Sequence, residues 1–300
     1  MSNEGVLFLF NKSANRGNSS EKLDWLQQRI QADSLRAKIV IPPNVEQLEE
    51  RVKSAWDEGY SRLIVCGGDG TLNRVISKGL EHPYTYGIIP MGSGNDFCKS
   101  VGVPNNLEKA YRIATSNVIK PTDILSFDGD AKGYCINTLG YGFDGWANYY
   151  ALRTKFSRGK TAYTIGAIKA IQKFKGAEMS WSCDDSEGKE NLLLFTFCNG
   201  KIEGGDFPVA PKADVSDGLM DVLMISPLPT ISLLFNLQRF KFGKAEHLSN
   251  ISRKQCRTAV LNSEVEAALH CDGEQLGTHI KNLKVQVLPG KISFLVSNEI

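Results

Sequence analysis

RLIVCGGDGTLNRVISKGL (62–80) holds the reading of the first half of the chain. Leu63–Cys66 is a continuous apolar run, as in a strand buried on both faces. Glycines at 67, 68 and 70 surround Asp69, and TLNRVISKGL (71–80) then repeats apolar residues at helical spacing. The order is strand, tight turn, helix. Outward from it the same rhythm recurs. VLFLF (6–10) reads as a strand, followed by a helix carrying Leu23, Leu26 and Ile30, and then AKIVI (37–41), stopped by Pro42 and Pro43. Asn44 with Gln47 resembles a capping box before a helix bearing Leu48, Val52 and Ala55, closed by Gly59. Downstream, YGIIP (86–90) is the next strand, and an Asn105-to-Glu108 capping pattern opens a helix with Leu107, Ala110, Tyr111 and Ala114. Such alternation predicts an α/β domain with a parallel sheet covered by helices.

Beyond Pro121 the rhythm changes. ILSF, the DGD turn and YCINTL read as a hairpin, and helical segments follow at about 143–156 and 161–174. Then come closely spaced strands: MSWSC, NLLLFTFC, LMDVLMI, CRTAVL, VEAALHC, LKVQVL and ISFLV, with turn chemistry at DDSEG, DGEQ and PGK. The expectation is an α/β N-terminal domain over 1–122 and a mostly antiparallel, β-sandwich-like domain over 123–300, its last strand returning to the first domain.

Length and charge narrow the function. At 300 residues the chain is long enough for two cores, and 35 Lys+Arg against 33 Asp+Glu leave a net charge of +2. That balance argues against a nucleic-acid partner held by bulk positive charge. Seven cysteines without a C-x-x-C pair, several inside apolar runs, read as buried thiols of a reducing compartment. MSNEGVLFLFNK lacks the character of a signal peptide, and apolar stretches fall far short of the ~20 residues of a membrane helix. The expected location is the cytoplasm.

Three loops at strand ends carry the chemistry. Gly67, Gly68, Asp69, Gly70 and Thr71 join a parallel strand to a helix N-terminus, which offers N–H groups and a positive dipole end to phosphate. An acid there would repel phosphate unless a metal ion lies between them, so Asp69 points to a divalent cation. Gly92, Ser93, Gly94, Asn95 and Asp96 form a second such turn, and Asn11, Lys12, Ser13 and the residues to Gly17 a third. In an open parallel sheet such loops face one crevice. Two other motifs fail. Gly159-Lys160-Thr161 imitates a phosphate-loop ending but has Thr154 at the required glycine. The G-x-G-x-x-G at Gly140–Gly145 lacks the following strand and acid.

GGDGTLNRV, spaced before GIIPMGSGNDF, resembles the diacylglycerol kinase catalytic-domain family, especially its bacterial lipid kinases, with sphingosine and ceramide kinases as relatives. The likeness extends to Gly140–Asp144, an Asp-Gly at 217 and Asp272-Gly273-Glu274. It implies a fold like NAD kinase and diacylglycerol kinase, and an ATP- and Mg²⁺-dependent transfer of phosphate to a lipid hydroxyl. By resemblance Asn11–Gly17, Gly67–Asn73 and Ser93–Asp96 contact ATP. Ile41-Pro42-Pro43-Asn44 departs from the family, which often has a threonine after the second strand.

Phosphoryl transfer needs in-line positioning, charge neutralisation and a proton acceptor. Spacing alone makes Asp272-Gly273 a hairpin turn. The resemblance assigns catalysis to it, with Glu274 as general base and Asp69, Asp96 and Asp272 around Mg²⁺; the roles of Asp272 and Glu274 are interchangeable at this stage. It also matches Asp214, Asp217 and the Leu219 carbonyl to a structural Mg²⁺ site.

Residues 151–177 hold seven Lys/Arg and no acid, interleaved with Phe156, Tyr163, Ile165, Ile168, Ile171 and Phe174, and ISLLFNLQRFKFGK (231–244) is similar. Such helices suit an anionic membrane surface, where a lipid acceptor resides. Diacylglycerol is the default acceptor. The alternatives are a sphingosine- or ceramide-type kinase, an NAD kinase, and a silent lipid- or nucleotide-binding protein; a homodimer stays open.

Overall fold

The computed structural model describes residues 5–14, 19–154, 159–205, 207–229 and 250–297. The chain divides into two compact units, one of residues 1–122 with 291–300 and one of 123–290.

In the first unit β1 (Gly5–Phe10), β2 (Ala37–Val40), β3 (Tyr60–Gly67) and β4 (Thr85–Pro90) run parallel in the order β2–β1–β3–β4. Leu7, Phe8, Leu9 and Phe10 are all buried, so β1 is covered on both faces, as its unbroken apolar sequence requires. Each such side chain contributes ~1.5–3 kcal/mol of burial free energy. Between the strands lie α1 (Ser19–Ala32), α2 (Val45–Ala55) and α3 (Asp69–Gly79). After β4 come α4 (Asp96–Ser100) and α5 (Leu107–Ala114). Leu26 of α1 and Tyr111 of α5 join Phe8, Phe10 and Ile64 in one core. Asn44 caps α2 by accepting the Gln47 N–H at 2.9 Å. The cap of α5 is Asn106, which accepts from Lys109 N–H, rather than Asn105. Asn105 is taken elsewhere: its Oδ1 accepts from the Asn95 side-chain amide.

In the second unit β5 (Ile119–Gly129) pairs with β6 (Gly133–Cys135), followed by β7 (Thr138–Gly142), α6 (Phe143–Leu152) and α7 (Gly159–Lys173). The remaining strands are β8 (Ala177–Cys183), β9 (Ser186–Leu192), β10 (Leu194–Cys198), β11 (Met220–Ile225), β12 (Ile251–Cys256), β13 (Thr258–Cys271) and β14 (Glu274–Leu295). Antiparallel pairs run β12–β11–β10–β7–β13–β14, while the first half of β13 also pairs with β8. The expected division into a parallel α/β part and an antiparallel, sandwich-like part holds.

Some details differ from the sequence reading. CRTAVL and VEAALHC are one strand in its greater part, β13, with irregular register between Asn262 and Ala267. PGK is no turn: it lies inside β14, where Gly290 has φ +56° and its N–H binds Asp123 Oδ1 at 2.6 Å. As expected, the last part of β14 returns to the first unit, where Ser293 and Phe294 pair in parallel with Thr85 and Tyr86 of β4. Finally, β9 and β12 are polar strands, SEGKENL and ISRKQC, whose sequences carry little apolar alternation. The basic stretch 231–244 lies outside the described residues.

Candidate functional site

The first unit brings its glycine-rich loops together at the carboxyl ends of β1, β3 and β4. The chain leaves β1 towards β2 on one side, while β3 lies on the other, so these ends surround a switch point of the sheet. Met91 N–H donates to the Gly67 carbonyl at 2.8 Å. A Cβ on Gly92 would lie 2.6 Å from Gly68 Cα, closer than side chains tolerate, so two glycine backbones touch where the turns cross. Asn11 donates its backbone N–H to Cys66 O and its side-chain amide to Thr71 Oγ1 at 2.8 Å, which ties the loop after β1 to the start of α3. Ser13 N–H donates back to Asn11 Oδ1, while the Lys12 and Ser13 side chains are exposed. Asn73, in the first turns of α3, accepts from Ser77 Oγ at 3.3 Å. Gly17 and its neighbours Asn15 and Arg16 lie outside the described residues.

Asp69 does something the motif does not announce. Its Oδ2 accepts the Asp96 N–H at 3.0 Å and its Oδ1 the Phe97 N–H at 3.2 Å, so it caps α4 from a different loop. Asn95, in the left-handed region at φ 52°, closes the turn by bonding both Gly92 N–H and Gly92 O. Lys99 pairs with Asp96 at 3.0 Å. A Cβ on Gly94 would lie 3.3 Å from Asp96 Oδ2 and 3.5 Å from Asp69 Oδ2, so both carboxylates border the same small space. A carboxylate has about four acceptor positions, and Asp69 spends two on backbone. Two carboxylates bordering one small space are the donor chemistry that a hard divalent cation takes, directly or through its water shell. Burial, with Asp69 and Asp96 close by, pushes the Cys98 thiol well above its ordinary value and keeps it unreactive.

In the second unit the two acids of the Asp-Gly-Glu turn part company. Asp272 at φ 49° and Gly273 at φ 83° form the two-residue loop joining β13 to β14. The Asp272 carboxylate is buried and accepts three backbone N–H groups, from Ile136, Asn137 and Thr138 at 2.9–3.0 Å, and the Cys135 thiol at 3.3 Å. Its own N–H donates to Thr138 O. Asp272 thus fastens the hairpin to the segment between β6 and β7. Glu274, the first residue of β14, is exposed.

Asp214 and Asp217 are exposed and close local turns: Asp214 Oδ1 accepts from Ser216 N–H and Oγ, and Asp217 Oδ1 accepts from Leu219 N–H at 2.9 Å. Beneath them is an acid that the sequence reading passed over. Asp123 is buried and binds Gly218 N–H at 2.7 Å and Gly290 N–H at 2.6 Å. Burial raises its pKa against those two bonds, with Asp217 and Asp214 adding repulsion. The signal for it was an acid alone inside the strand PTDILSF. Asp123, Asp214 and Asp217 place three carboxylates around one loop.

Comparison with known proteins matches residues 5–127 to the model of the diacylglycerol kinase catalytic domain and residues 137–296 to that of the YegS C-terminal NAD kinase beta sandwich-like domain. A protein of Shewanella frigidimarina named "Probable lipid kinase YegS-like" is 25% identical over 251 residues, covering 82% of this chain and 79% of its own. The diacylglycerol kinase of Bacillus subtilis is 28% identical over 232 residues, 75% of each chain. A solved structure of a diacylglycerol kinase from Bacillus anthracis superposes with a TM-score of 0.78 over 98% of both chains, at 21% identity. At that identity the superposition speaks for the fold.

Proposed function

From a chain that belongs to the diacylglycerol kinase catalytic-domain family and is a lipid kinase, we propose that it transfers the γ-phosphoryl group of ATP, with Mg²⁺, to a lipid hydroxyl. Diacylglycerol is the acceptor we favour, giving phosphatidic acid. The observation that carries the reading is the crossing of two glycine turns at Gly68 and Gly92 beside the α3 N-terminus. Backbone without side chains admits a polyphosphate closely, and the helix dipole favours its charge.

Within this reading Gly67, Gly68, Gly70 and Thr71 cradle phosphates, and Asn11 positions Thr71. Asp69 and Asp96 hold the cation, Asp69 chiefly through its water shell because backbone N–H groups occupy two of its positions. Mg²⁺, when bound, neutralises charge on the transferring phosphate. Glu274 rather than Asp272 accepts the proton of the acceptor hydroxyl, since Asp272 is committed to three backbone N–H groups and two thiols and Glu274 is exposed. The hydroxyl oxygen bonds to the γ-phosphorus, the bond to the bridging oxygen breaks, and ADP leaves with that electron pair. Asp214, Asp217 and the Leu219 carbonyl, with Asp123 behind them, form the structural Mg²⁺ position.

Access to lipid runs through α6 and α7. Leu152 is 58% exposed and Ile168 47%, beside exposed Arg153, Lys169, Lys173 and Lys175. Apolar tips among basic side chains suit an anionic bilayer surface, at ~1 kcal/mol per well-placed charge. Among the described residues no helix is long and apolar enough to cross a membrane.

The test is incubation with radiolabelled ATP, Mg²⁺ and anionic vesicles containing diacylglycerol or sphingosine, with NAD⁺ in a parallel reaction and Glu274→Gln as control. Label in diacylglycerol, lost in the control, is the expected result. Label in sphingosine alone would move the acceptor, and label on NAD⁺ alone would overturn the lipid reading. ATP binding without transfer would make the protein a silent binder.

A further inference from the structure

A polar cluster inside the second unit stands apart from the loops described above. β10, β7 and β13 lie side by side with Thr196, Gly140 and His270 in register, so these three positions share one face of the sheet. Gly140 contributes no side chain, and a Cβ there would lie 2.3 Å from both His270 Nε2 and Asp144 Oδ2. Asp144, in the first turn of α6, occupies that space. Its Oδ2 accepts from Thr196 Oγ1 at 3.0 Å and its Oδ1 from the Tyr163 hydroxyl at 2.5 Å. Glu203, in the loop after β10, brings Oε1 to 2.8 Å from His270 Nε2, and Asp144 Oδ2 lies 3.3 Å from the same nitrogen. His270 is 1% exposed, Asp144 3% and Glu203 6%. Despite the closeness, neither His270 ring nitrogen makes an aligned hydrogen bond, and Glu203 Oε2 has no partner.

We infer that Asp144, Glu203 and His270 form a binding site for one divalent transition-metal ion. The donor atoms converge within 4.8 Å of one another. Bonds of ~2.0–2.2 Å at a tetrahedral ion set donors roughly 3.3–3.6 Å apart, against 3.3 Å from His270 Nε2 to Asp144 Oδ2 and 2.8 Å to Glu203 Oε1, so a small outward shift of Glu203 seats the ion. An imidazole nitrogen with two carboxylate oxygens is a set that zinc, manganese or iron accepts and that magnesium and calcium, which favour all-oxygen shells, do not. Charge points the same way. A divalent ion on two carboxylates and a neutral imidazole leaves no net charge out of water, whereas the same carboxylates around a protonated imidazole leave one negative charge. Thr196 and Tyr163 supply the outer hydrogen bonds that fix a ligating carboxylate. The ion would pin α6, β13 and the loop after β10 at one point, just before the hairpin that carries Glu274.

Cobalt(II) is the probe. The full chain is freed of metal by a chelator, then titrated with Co²⁺ in excess Mg²⁺, which fills oxygen-only sites. Expected are one equivalent of tightly bound Co²⁺ with visible d–d absorption, its displacement by Zn²⁺, and a higher melting temperature for the loaded protein. Glu203→Gln and His270→Gln, checked for folding by circular dichroism, weaken binding by at least ~100-fold, while Asp214→Asn with Asp217→Asn leaves the band in place. Less than one equivalent in the wild type, or a band of full strength in His270→Gln, would overturn the site and leave a buried ion triad or one that holds a water molecule.

Discussion

Asp69 Oδ2 receives the backbone N–H of Asp96 at 3.0 Å, so the acid of one glycine turn holds the other turn in place. The usual reading of an acid beside a phosphate loop is a metal ligand, yet here it is also the cap of α4. Asp69→Ala therefore removes two things. Loss of the cap costs about 0.5–2 kcal/mol, read as a lower urea midpoint. Loss of cation placement lowers ATP-dependent lipid phosphorylation by at least ~100-fold, roughly 2.7 kcal/mol at the transition state. A variant that is destabilised but fully active would confine Asp69 to the cap.

Gly92 allows no side chain, because its Cβ would meet Gly68 Cα at 2.6 Å and Asn95 Oδ1 at 2.8 Å. The first neighbour is backbone and cannot rotate away. Gly92→Ala separates the two turns, at a cost of about 1–3 kcal/mol in stability. ATP affinity, measured calorimetrically, falls by at least ~10-fold, or roughly 1.4 kcal/mol. Gly273→Ala is the contrast for space, since nothing lies within 4 Å of its Cβ, although φ 83° strains that variant in its turn.

The parallel half of the molecule was legible because its signal is local. VLFLF and LIVC are continuous apolar runs, and the glycines at 67, 68 and 92 punctuate strand ends within a few residues. The second half hid what depends on register. Nothing near Asp272 in sequence reveals that its carboxylate meets the N–H groups of 136–138, because that meeting requires β13 to lie beside β7. His270 gains its partners the same way, from Asp144 and Glu203. Asp123 offered a local clue, an acid inside an apolar strand, but its partners Gly218 and Gly290 are distant in sequence. β9 and β12 lacked apolar alternation altogether, since their polar residues face solvent along much of each strand.

The two acids of the Asp-Gly-Glu turn separate under substitution. Asp272→Asn replaces an oxygen that accepts backbone N–H groups with an amide that donates, inside a buried site. Unsatisfied groups of this kind cost ~1–3 kcal/mol, so thermal melting shifts down clearly. Glu274→Gln changes an exposed side chain, and its melting temperature stays near wild type. Its loss falls on kcat, by about 100-fold or more for a missing general base. Equal activity losses with equal melting losses in both variants would mean that neither acts as base.

Asp130 supplies a pH test of the second unit. Backbone N–H groups of Lys281 and Asn282, at 2.7 and 2.9 Å, outweigh slight burial and hold its carboxyl below the usual carboxylate range. A lowered folded pKa means that the folded state binds fewer protons than the unfolded one around that range. The stabilisation is therefore present above the unfolded value of ~3.9 and is lost as pH falls through the folded value. Because Asp130 is exposed, solvent screening keeps the contribution below ~1 kcal/mol. Asp130→Asn should lower the urea midpoint at ~pH 7, and the gap from wild type should close towards ~pH 3. A gap that is constant across this range would assign the loss to hydrogen-bond geometry rather than to charge.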